Sequence, residues 1–447
     1  MAAGVYQVRL NRAKHAADIR PDGCREVCFT HLDPACAVRP GAGYGPDEHS
    51  CRCREARSMP AVNRGYRTGT GMEEIRRPEN MNNASVEKFF DKVLTVRLTP
   101  DRQALDIIDQ TLLPGTVKRI NLSTKEEIWE AIKKLRVRGA PAIGVSAAYG
   151  MAVLSSRSQA ADFDSFYSEF KANKEYLASS RPTAVNLFWA LNRMEKTLLD
   201  NRTKSIPEIQ EILYHEADKI QAEDVQISRN IGEIGFGLLK DLKKEGRPVG
   251  IETHCNAGTL ATAKYGTATA PMYIALEHGW KGTDMHVYCD ETRPLLQGAR
   301  LTSFEVASAG ITTTVQCDNM ASSLMRAGLI DIIFVGCDRV ARNGDFANKI
   351  GTSGLAIIAK HYGIPFYVCA PSSTIDMETP SGSQIPIEMR DPDEVTEMWY
   401  QERMAPENVN VYNPAFDVTD HSLITGMITE KGLCTAPFED AFRKIGL

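Results

Sequence analysis

Two reactive side chains in the second half of the chain follow apolar runs that have the composition of buried strands. Cys255 lies in the small-residue stretch THCNAGTLATAKYGTA after the run PVGIET, and Asp338 follows DIIFVGC directly. A thiol acts as a nucleophile or base once it loses its proton, and a carboxyl group in apolar surroundings keeps its proton to a higher pH than usual. The pair therefore indicates a candidate site for general acid–base catalysis.

Each of the two residues also has a simpler structural interpretation. A single cysteine in a turn between a strand and a helix is more often a small buried apolar residue than a catalytic group. Asp338 could cap the chain that follows it or form an ion pair with Arg339 or Arg342. These alternatives stay open unless the fold brings the thiol and the carboxyl group together.

The elements that must position these side chains are alternating strands and helices. Strands are predicted at 248–253, 285–289, 311–316, 331–336 and 365–370. This alternation predicts a parallel, doubly wound, Rossmann-like sheet, in which ligands bind beyond the carboxyl ends of the strands. Further polar residues at these ends are Glu291, Arg293, Gln297, Arg300, Asp318 and Asn319. The positive end of a helix expected soon after Cys255 would favour its thiolate.

The first half of the chain is predicted to be mainly helical with a small sheet. Strands are predicted at 93–98 and 104–109, and Ser123 with Glu126 has the spacing of a capping box. Long helices are predicted at 181–199 and 206–240. We therefore predict an α/β protein with three segments. They are an extension at 1–80, a mainly helical N-terminal domain with a small sheet at 81–240, and a Rossmann-like catalytic domain at 241–447.

Two places in the first half have the features of anion sites. The segment RVRGAPAIG, residues 136–144, contains Pro141 at a position suited to the first turn of a helix. Backbone amides there, together with Arg138, could hold an anion at a helix N-terminus. Arg181 stands at the start of a later predicted helix. Each arginine taken alone is more often a solvated charge at a helix end.

Composition and charge argue against several classes of protein. The 447 residues carry a net charge of −5, which gives no electrostatic basis for nucleic acid or an anionic membrane as the main partner. The apolar runs are far shorter than the roughly 20 residues of a membrane span, and the N-terminus lacks a secretion pattern. We therefore expect a cytoplasmic protein. No dinucleotide fingerprint, P-loop, HExxH or GxSxG motif is present.

Residues 1–80 differ from the rest of the chain. They contain 13 basic and 10 acidic residues and are broken by Pro, Gly and Arg, which predicts disorder or weak order. Their possible zinc ligands are Cys24, Cys28, Cys51 and Cys53 with His31 or His49. Because the spacings C-x3-C and C-x-C are not the paired C-x2-C of strong zinc motifs, they support a zinc site only weakly. The odd total of eleven cysteines favours free thiols over disulfides.

Five blocks of sequence resemble one enzyme family. They are VRGAPAIGVSAAYGM, RPTAVNLFWAL, THCNAGTLATAKYGTA, DETRPLLQGARLTSFE and GCDRVARNGDFANKIGTSGLAIIAK. In content and order the blocks are similar to those of methylthioribose-1-phosphate isomerases. The resemblance runs from about residue 85 to the C-terminus and leaves residues 1–80 outside it. One departure is Cys337, which stands where the family often has alanine before the acid.

The resemblance implies a fold, a reaction and a set of site residues. The fold would be a helical N-terminal domain followed by a Rossmann-like domain, assembled as a homodimer. The reaction would convert 5-methylthioribose 1-phosphate to 5-methylthioribulose 1-phosphate in methionine salvage, with no metal and no cofactor. By position, the essential cysteine is Cys255 and its acidic partner is Asp338. The substrate contacts would be Arg138, Gly139, Ala140, Arg181, Gln297, Asn348 and Lys349.

The resemblance leaves alternatives open for substrate and mechanism. The superfamily also includes isomerases of ribose 1,5-bisphosphate and of 5-deoxyribose 1-phosphate, and the non-catalytic regulatory subunits of initiation factor 2B. Because those subunits generally lack the cysteine and acid pair, an enzyme is favoured here. Asp338 would be the proton donor. Cys255 would act either as the base of a proton transfer, which is slightly favoured, or as a stabilising group beside a direct hydride shift.

Overall fold

The site is built on a seven-stranded sheet in the second half of the chain. The structure is a computed structural model that describes residues 83–447 apart from Thr183. The predicted extension at 1–80 and its candidate zinc ligands lie outside the described residues.

The helices and strands have the following bounds. The helices are α1 (Asn83–Val93), α2 (Lys125–Lys133), α3 (Ala140–Ser156), α4 (Phe163–Ala178), α5 (Val185–Asp200), α6 (Ile206–Leu242), α7 (Ala270–Glu277), α8 (Ser303–Ser308), α9 (Ala321–Arg326), α10 (Thr352–Tyr362), α11 (Asp393–Thr396) and α12 (Phe438–Lys444). The strands are β1 (Val96–Leu98), β2 (Leu105–Ile108), β3 (Arg119–Leu122), β4 (Val249–Thr253), β5 (Met285–Asp290), β6 (Thr312–Gln316), β7 (Ile332–Val335), β8 (Arg339–Ala341), β9 (Phe346–Lys349), β10 (Phe366–Cys369), β11 (Ile375–Asp376), β12 (Phe416–Thr419), β13 (Gly426–Thr429) and β14 (Gly432–Cys434).

The large sheet has the order β14-β13-β10-β7-β4-β5-β6. All of its neighbouring strands run parallel except β14, which is antiparallel to β13. The strand order moves outward in both directions from β4, which is the doubly wound arrangement. The predicted α/β class is confirmed, and so are the five strands predicted for this half, within one or two residues at each end.

The first part of the described chain is helical and carries a small antiparallel sheet, β1-β2-β3, as predicted. Its core is organised around α3, whose small residues are buried along almost the whole helix. The alternation of alanine and glycine in APAIGVSAAYGMA lets α5 and α6 approach this helix closely. Gly144, for example, lies so close to α5 that a Cβ atom would be 3.2 Å from the carbonyl oxygen of Asn186.

The long helix α6 links the helical core to the sheet. Its N-terminal half buries residues such as Leu213 in the helical core, and its C-terminal half buries Ile231 and Leu239 against the sheet. The domain boundary predicted near residue 240 therefore stays a prediction, since one continuous helix contributes to both cores. None of the helices in the described part of the chain is both long and apolar enough to cross a membrane.

Some local predictions were wrong. Val93 ends α1, so the strand predicted at 93–98 is confined to β1. The capping box of α2 is formed by Thr124 and Glu127, one residue after the predicted pair, because the Thr124 side chain accepts from the Glu127 amide while the Glu127 side chain accepts from the Thr124 amide. The helix predicted at 181–199 begins four residues later, at Val185.

A second sheet was not predicted. Strands β11-β8-β9-β12 form a four-stranded sheet beyond the carboxyl end of β7. Strands β8 and β9 form a hairpin through a turn at Asn343 and Gly344, where Gly344 has a φ of 92°. An Asn-Gly pair is a strong signal for such a turn, although the flanking strands are too short to show alternation.

Two glycines of α6 provide a matched test of the contact between α6 and α7. A Cβ atom on Gly235 would lie 2.3 Å from Cγ of Pro271, whereas one on Gly237 would meet nothing within 4 Å. We expect Gly235→Ala to lower the free energy of unfolding by about 1–3 kcal/mol through overpacking. Gly237→Ala should raise it by about 0.5–1 kcal/mol because alanine favours the helix. Urea denaturation measures the free energy of unfolding of both variants. If the two substitutions change it in the same direction, the described packing is contradicted.

Candidate active site

The thiol and the carboxyl group lie at the carboxyl ends of adjacent strands. Cys255 follows β4 and Asp338 follows β7, and these two strands are parallel neighbours. The charge on Asp338 raises the pKa of the Cys255 thiol, while Lys349 and Arg138 act on both groups in the opposite direction. The structure therefore brings the two predicted catalytic residues and two predicted substrate-binding cations close together at the carboxyl edge of the sheet. The space between these four side chains is called the cleft below.

Asp338 lies between the end of β7 and the start of β8. Its backbone N–H donates to the carbonyl oxygen of Ala347 on β9 at 2.9 Å, which fixes the residue at the start of the hairpin. Asp338 as a residue is exposed to solvent, although the surrounding protein partly buries its carboxyl group. This burial raises the pKa of Asp338, against the opposing charges of Lys349, Arg181 and Arg138. None of the hydrogen bonds or ion pairs among the described residues involves the carboxyl oxygens, so Asp338 is not paired with Arg339 or Arg342.

Cys255 has an unusual backbone conformation. Its φ is 66°, in the left-handed region that non-glycine residues rarely adopt. Burial raises the pKa of its thiol, and the positive charges of Lys349 and Arg138 partly oppose that rise. The prediction that a helix dipole favours the Cys255 thiolate is wrong. The chain after Cys255 forms an irregular loop with a single 3-10 turn, and α7 begins only at Ala270. The side chains of Lys349 and Arg138, and not a helix, therefore supply the positive charge.

Lys349 ends β9, and its backbone pairs with Phe416 on β12. The ammonium nitrogen lies 4.7 Å from the centroid of the Phe416 ring, a distance suited to a cation–π contact. Burial lowers the pKa of Lys349, and the charges of Cys255 and Asp338 oppose that shift. Within the described part of the chain the ammonium group forms no hydrogen bond or ion pair, so its donors are available to a ligand.

Arg138, Gly139 and Ala140 form the start of α3 as predicted. Gly139 has a φ of 89°, and a Cβ atom on it would lie 2.4 Å from the carbonyl oxygen of Ala261 in the loop that follows Cys255. Glycine is required there because the backbones approach so closely. Arg138 donates to the side-chain oxygen of Asn256 at 2.6 Å and to its carbonyl oxygen at 2.9 Å. These bonds fix the arginine beside the thiol.

Arg181 lines a cavity of about 190 Å³ next to the cleft. The other residues around this cavity are Lys133, Leu135, Ser180, Pro182, Glu388 and Arg390. Burial lowers the pKa of Arg181, although the charges of Glu388 and Asp338 partly compensate. No hydrogen bond or ion pair of its guanidinium group is formed with any described residue. Arg390 is paired with Glu388 and Glu394, whereas Lys133 and Arg181 form no ion pair with any described residue. The positive charge of Lys133 and Arg181 favours an anionic ligand.

Two predicted contact residues are not joined to the thiol or the carboxyl group by any described contact. Gln297 is 6% exposed, and its Oε1 atom has no hydrogen-bond partner among the described residues. Asn348 is equally buried, and its side-chain amide donates to the hydroxyl of Thr352 at 3.0 Å. Asn348 thus supports the first turn of α10, and its role as a substrate contact stays a prediction.

Other polar residues at the strand ends have structural roles. Arg300 donates to the carbonyl oxygens of Gln110 and Leu113 and joins the two halves of the chain. Asp318 accepts from the backbone amides of Thr292 and Arg293 and so fixes the loop after β5. Their position at one edge of the sheet was predicted correctly, but position alone does not separate ligand contacts from loop supports.

The sequence analysis missed several residues that hold the site. They are Asn256, Thr292, Thr302, Glu305, Glu388 and Arg390. The first four contact the cysteine loop or Arg138 through hydrogen bonds and charge. All four lie inside the resembling blocks, which was the available signal. Burial raises the pKa of Glu305 to about 7, although the carboxyl group accepts from two backbone amides of the loop.

A buried polar network lies beneath the cysteine loop. His254 contacts the carboxylate of Asp290 at 2.9 Å through Nδ1 and donates to the carbonyl oxygen of Ile350 at 2.8 Å through Nε2. Burial alone would lower the pKa of His254, but Asp290 outweighs it and the pKa is raised. Gln316 donates to both Asp290 and Glu252, and burial raises the pKa of Glu252 to about 9. This network ties the loop after β4 to the turn after β9.

Comparison with known proteins identifies the family. The pattern of the Initiation factor 2 subunit family matches residues 136–436, which is more than half of the chain. The chain belongs to this family. Two curated relatives are enzymes by name. A methylthioribose-1-phosphate isomerase of Symbiobacterium thermophilum is 58% identical over 350 residues, covering 78% of this chain and 95% of the relative. A 5-deoxyribose 1-phosphate isomerase of Petrotoga mobilis is 52% identical over 353 residues, covering 79% and 99%.

Solved structures of the family have the same fold. The crystal structure of 5-methylthioribose 1-phosphate isomerase from Pyrococcus horikoshii matches with a TM-score of 0.74 and 42% identity, covering 80% of this chain and 97% of that chain. The translation initiation factor eIF-2B subunit delta from A. fulgidus matches with a TM-score of 0.71 and 39% identity, covering 79% and 99%. The resemblance seen in the sequence blocks is confirmed, and so is the isomerase class that it implied.

Removing the unpaired Arg181 tests the anion site without assuming a substrate. We expect Arg181→Ala to weaken the binding of inorganic phosphate by about tenfold or more, because charge-assisted hydrogen bonds are lost. The measurement is the rise in melting temperature with phosphate concentration. Arg202→Ala, which removes an exposed arginine of the same charge, is the matched control. An equal response to phosphate in the two variants would contradict the assignment.

Proposed function

We propose that this chain converts 5-methylthioribose 1-phosphate to 5-methylthioribulose 1-phosphate. The observation that carries the proposal is a thiol and a carboxyl group at neighbouring strand ends, with the charges of Lys349 and Arg138 acting on both. Within the described residues, neither the carboxyl group of Asp338 nor the ammonium group of Lys349 forms a hydrogen bond or ion pair. Buried polar groups are normally paired, so groups held unpaired around an open space are suited to a ligand. The names of the similar isomerases support this class of substrate.

The first chemical step in this proposal needs an acid. The phosphate on C1 prevents the sugar from opening freely to an aldehyde, so the bond between C1 and the ring oxygen must be broken with help. The departing ring oxygen needs a proton. The raised pKa of Asp338 supports its role as the donor. After ring opening, the proton belongs to the product hydroxyl and Asp338 is a carboxylate.

The second step moves a hydrogen from C2 to C1, and Cys255 serves it in one of two ways. As a thiolate it takes the proton from C2, and the same proton or one from water is delivered to C1. In the other route a hydride passes directly between the carbons, and the thiol lies beside the cationic centre. Lys349 and Arg138 support the thiolate, whereas burial of the thiol opposes it. In both routes the C2 hydroxyl loses its proton as C2 becomes the ketone carbon, and the Asp338 carboxylate takes up this proton. Cys255 and Asp338 therefore both return to their starting states at the end of the cycle.

Substrate binding in this proposal uses the cations of the cleft. Arg181, Arg138 and the amides at 138–140 hold the phosphate, and Lys349 contacts the phosphate or a sugar hydroxyl. The unpaired Oε1 atom of Gln297 accepts from a hydroxyl group, and Asn348 lies behind Lys349. Binding energy at the phosphate is then available to position the reacting carbons.

The wider biological setting is part of the same proposal. The enzyme acts in methionine salvage, in the cytoplasm and as a homodimer, without metal or cofactor. Its helical segment at 81–240 and its Rossmann-like segment at 241–447 form two domains that meet at the cleft.

A second substrate is favoured by a specific observation. Similar relatives are named 5-deoxyribose 1-phosphate isomerases, and the reacting carbons and phosphate of that sugar are the same. Ribose 1,5-bisphosphate is a further candidate of this chemistry. The non-catalytic alternative, a regulatory subunit of the initiation factor type, agrees with the structural match to an eIF-2B subunit. The presence of both Cys255 and Asp338 favours an enzyme.

A turnover assay of the full chain separates these functions. Proton NMR should show 5-methylthioribose 1-phosphate converted to the ketose, faster than 5-deoxyribose 1-phosphate and ribose 1,5-bisphosphate. In deuterated water, deuterium at C1 of the product identifies proton transfer, and its absence favours the hydride route. We expect Cys255→Ser and Asp338→Asn each to lower kcat by about 10²–10⁴-fold.

Cys317→Ser is the control for these substitutions, because Cys317 is a partly exposed thiol after β6 that has no part in the scheme. Turnover of none of the three sugars, with recovery of the chain in a larger hetero-assembly, would replace the enzymatic proposal by the regulatory one. Near-normal turnover by a folded Cys255→Ser or Asp338→Asn variant would remove that residue from the mechanism.

A further inference from the structure

We infer that Thr292 and Thr302 are positioning residues that hold Cys255 in its left-handed conformation, and that Thr302 also couples the thiol to the phosphate-binding Arg138. The inference rests on the proposed function for its consequences in catalysis. Its structural part concerns only the geometry of the cysteine loop and is testable without a substrate.

The backbone of Cys255 is held on both sides by threonine hydroxyl groups. Its N–H donates to Oγ1 of Thr292 at 2.8 Å, and its carbonyl oxygen accepts from Oγ1 of Thr302 at 2.6 Å. Both threonines are almost fully buried. Since a left-handed non-glycine residue costs of order 1–3 kcal/mol, such a conformation persists only where its surroundings impose it. The two hydroxyl groups are direct contacts that do so.

Each hydroxyl group uses both its donor and its acceptor capacity. The Thr292 hydroxyl accepts from Cys255 and donates to the carbonyl oxygen of Asp290 at 3.1 Å, which ties the loop after β4 to the end of β5. The Thr302 hydroxyl donates to Cys255 and accepts from the side-chain amide of Asn256 at 3.1 Å. A residue without a hydroxyl group would leave buried partners unpaired at either position.

The Thr302 contact extends to the anion-binding arginine. Asn256, which donates to Thr302, accepts from Arg138 through its side-chain oxygen at 2.6 Å and through its carbonyl oxygen at 2.9 Å. One continuous set of hydrogen bonds therefore runs from the backbone of the thiol residue to the guanidinium group. We expect a disturbance at Thr302 to reach both the reacting thiol and the bound phosphate, and one at Thr292 to reach mainly the thiol.

The local helix geometry explains how Thr302 reaches the loop. Residues Gly298–Thr302 form a π-helical turn that leads directly into α8. Such turns occur often at functional sites, because the wider turn redirects a side chain. At its start, a Cβ atom on Gly298 would lie 1.7 Å from the carbonyl oxygen of Asp290, so this turn packs directly against the end of β5.

The experiment compares valine and serine at the two positions in the full chain. Thr302→Val keeps the shape and removes the hydroxyl group, so it should lower kcat by about tenfold or more and raise KM. Thr292→Val should lower kcat with a smaller effect on KM. Thr302→Ser and Thr292→Ser keep the hydroxyl groups and should retain kinetic constants close to those of the unchanged chain. Thr419→Val is the control, because this buried threonine has no hydrogen-bond partner for its hydroxyl among the described residues.

A second measurement does not depend on turnover. The rate at which iodoacetamide modifies Cys255, followed by peptide mass spectrometry at one pH, should change in both valine variants and be restored in the serine variants. If the chain is not an isomerase, this change still supports the positioning role. Folded valine variants with unchanged alkylation and unchanged kinetics would overturn it, even if the isomerase activity is confirmed.

Alanine variants keep the test possible if the valine variants fail to fold. If the valine variants do not fold, Thr302→Ala and Thr292→Ala avoid any steric conflict and are tested in the same way. If no variant without the hydroxyl group folds while both serine variants do, the threonines serve overall stability and the positioning inference is overturned.

Discussion

The site depends on positive charge held beside a thiol and a carboxyl group whose pKa values are both raised. Removing a thiol or a carboxyl group from water disfavours its charged form and raises its pKa, as happens at Cys255 and Asp338. Lys349 and Arg138 oppose this effect on both groups at once. Both groups thus have pKa values set by opposing effects of burial and positive charge, a combination suited to acid–base chemistry.

The fold holds these charges in place by anchoring each one from a different element. The sheet brings the ends of β4 and β7 together, the β8–β9 hairpin presents Lys349 from the opposite side, and Asn256 fixes the arginine at the start of α3. Leaving such groups unpaired disfavours folding. The His254 side chain provides part of the compensating stability, since its two ring nitrogens bond to the Asp290 carboxylate and to the carbonyl oxygen of Ile350.

The sequence predicted the sheet well because its parallel strands are buried on both faces and appear as short apolar runs between helices. It also predicted that polar residues at the strand ends would share one edge. The four-stranded second sheet was missed because its strands are only two to four residues long. The helix expected soon after Cys255 was predicted wrongly, since small residues such as those of this loop occur in turns as well as in helices.

The site residues also differ in whether a local sequence pattern indicated them. Cys255 and Asp338 were found because strand ends and sequence blocks both indicated them. Thr292 and Thr302 lie in one of the resembling blocks, but their role could not be predicted, because it depends on hydrogen bonds between segments about 40 residues apart. Likewise, the anion cavity near Arg181 includes Arg390, which comes from a long irregular segment without a local pattern. Long-range contacts of this kind are visible only in the folded chain.

The most direct test of the shared charge balance is the pH midpoint for alkylation of Cys255, measured by peptide mass spectrometry without substrate. Lys349→Met should raise the midpoint by several tenths of a pH unit or more, because a charge that favours the thiolate is lost. Asp338→Asn should lower it, because a charge that opposes the thiolate is lost. Lys360→Met, which removes an exposed charge on α10, should leave it unchanged. Equal midpoints in all four proteins would show that the thiol, the carboxyl group and the ammonium group do not share one cleft.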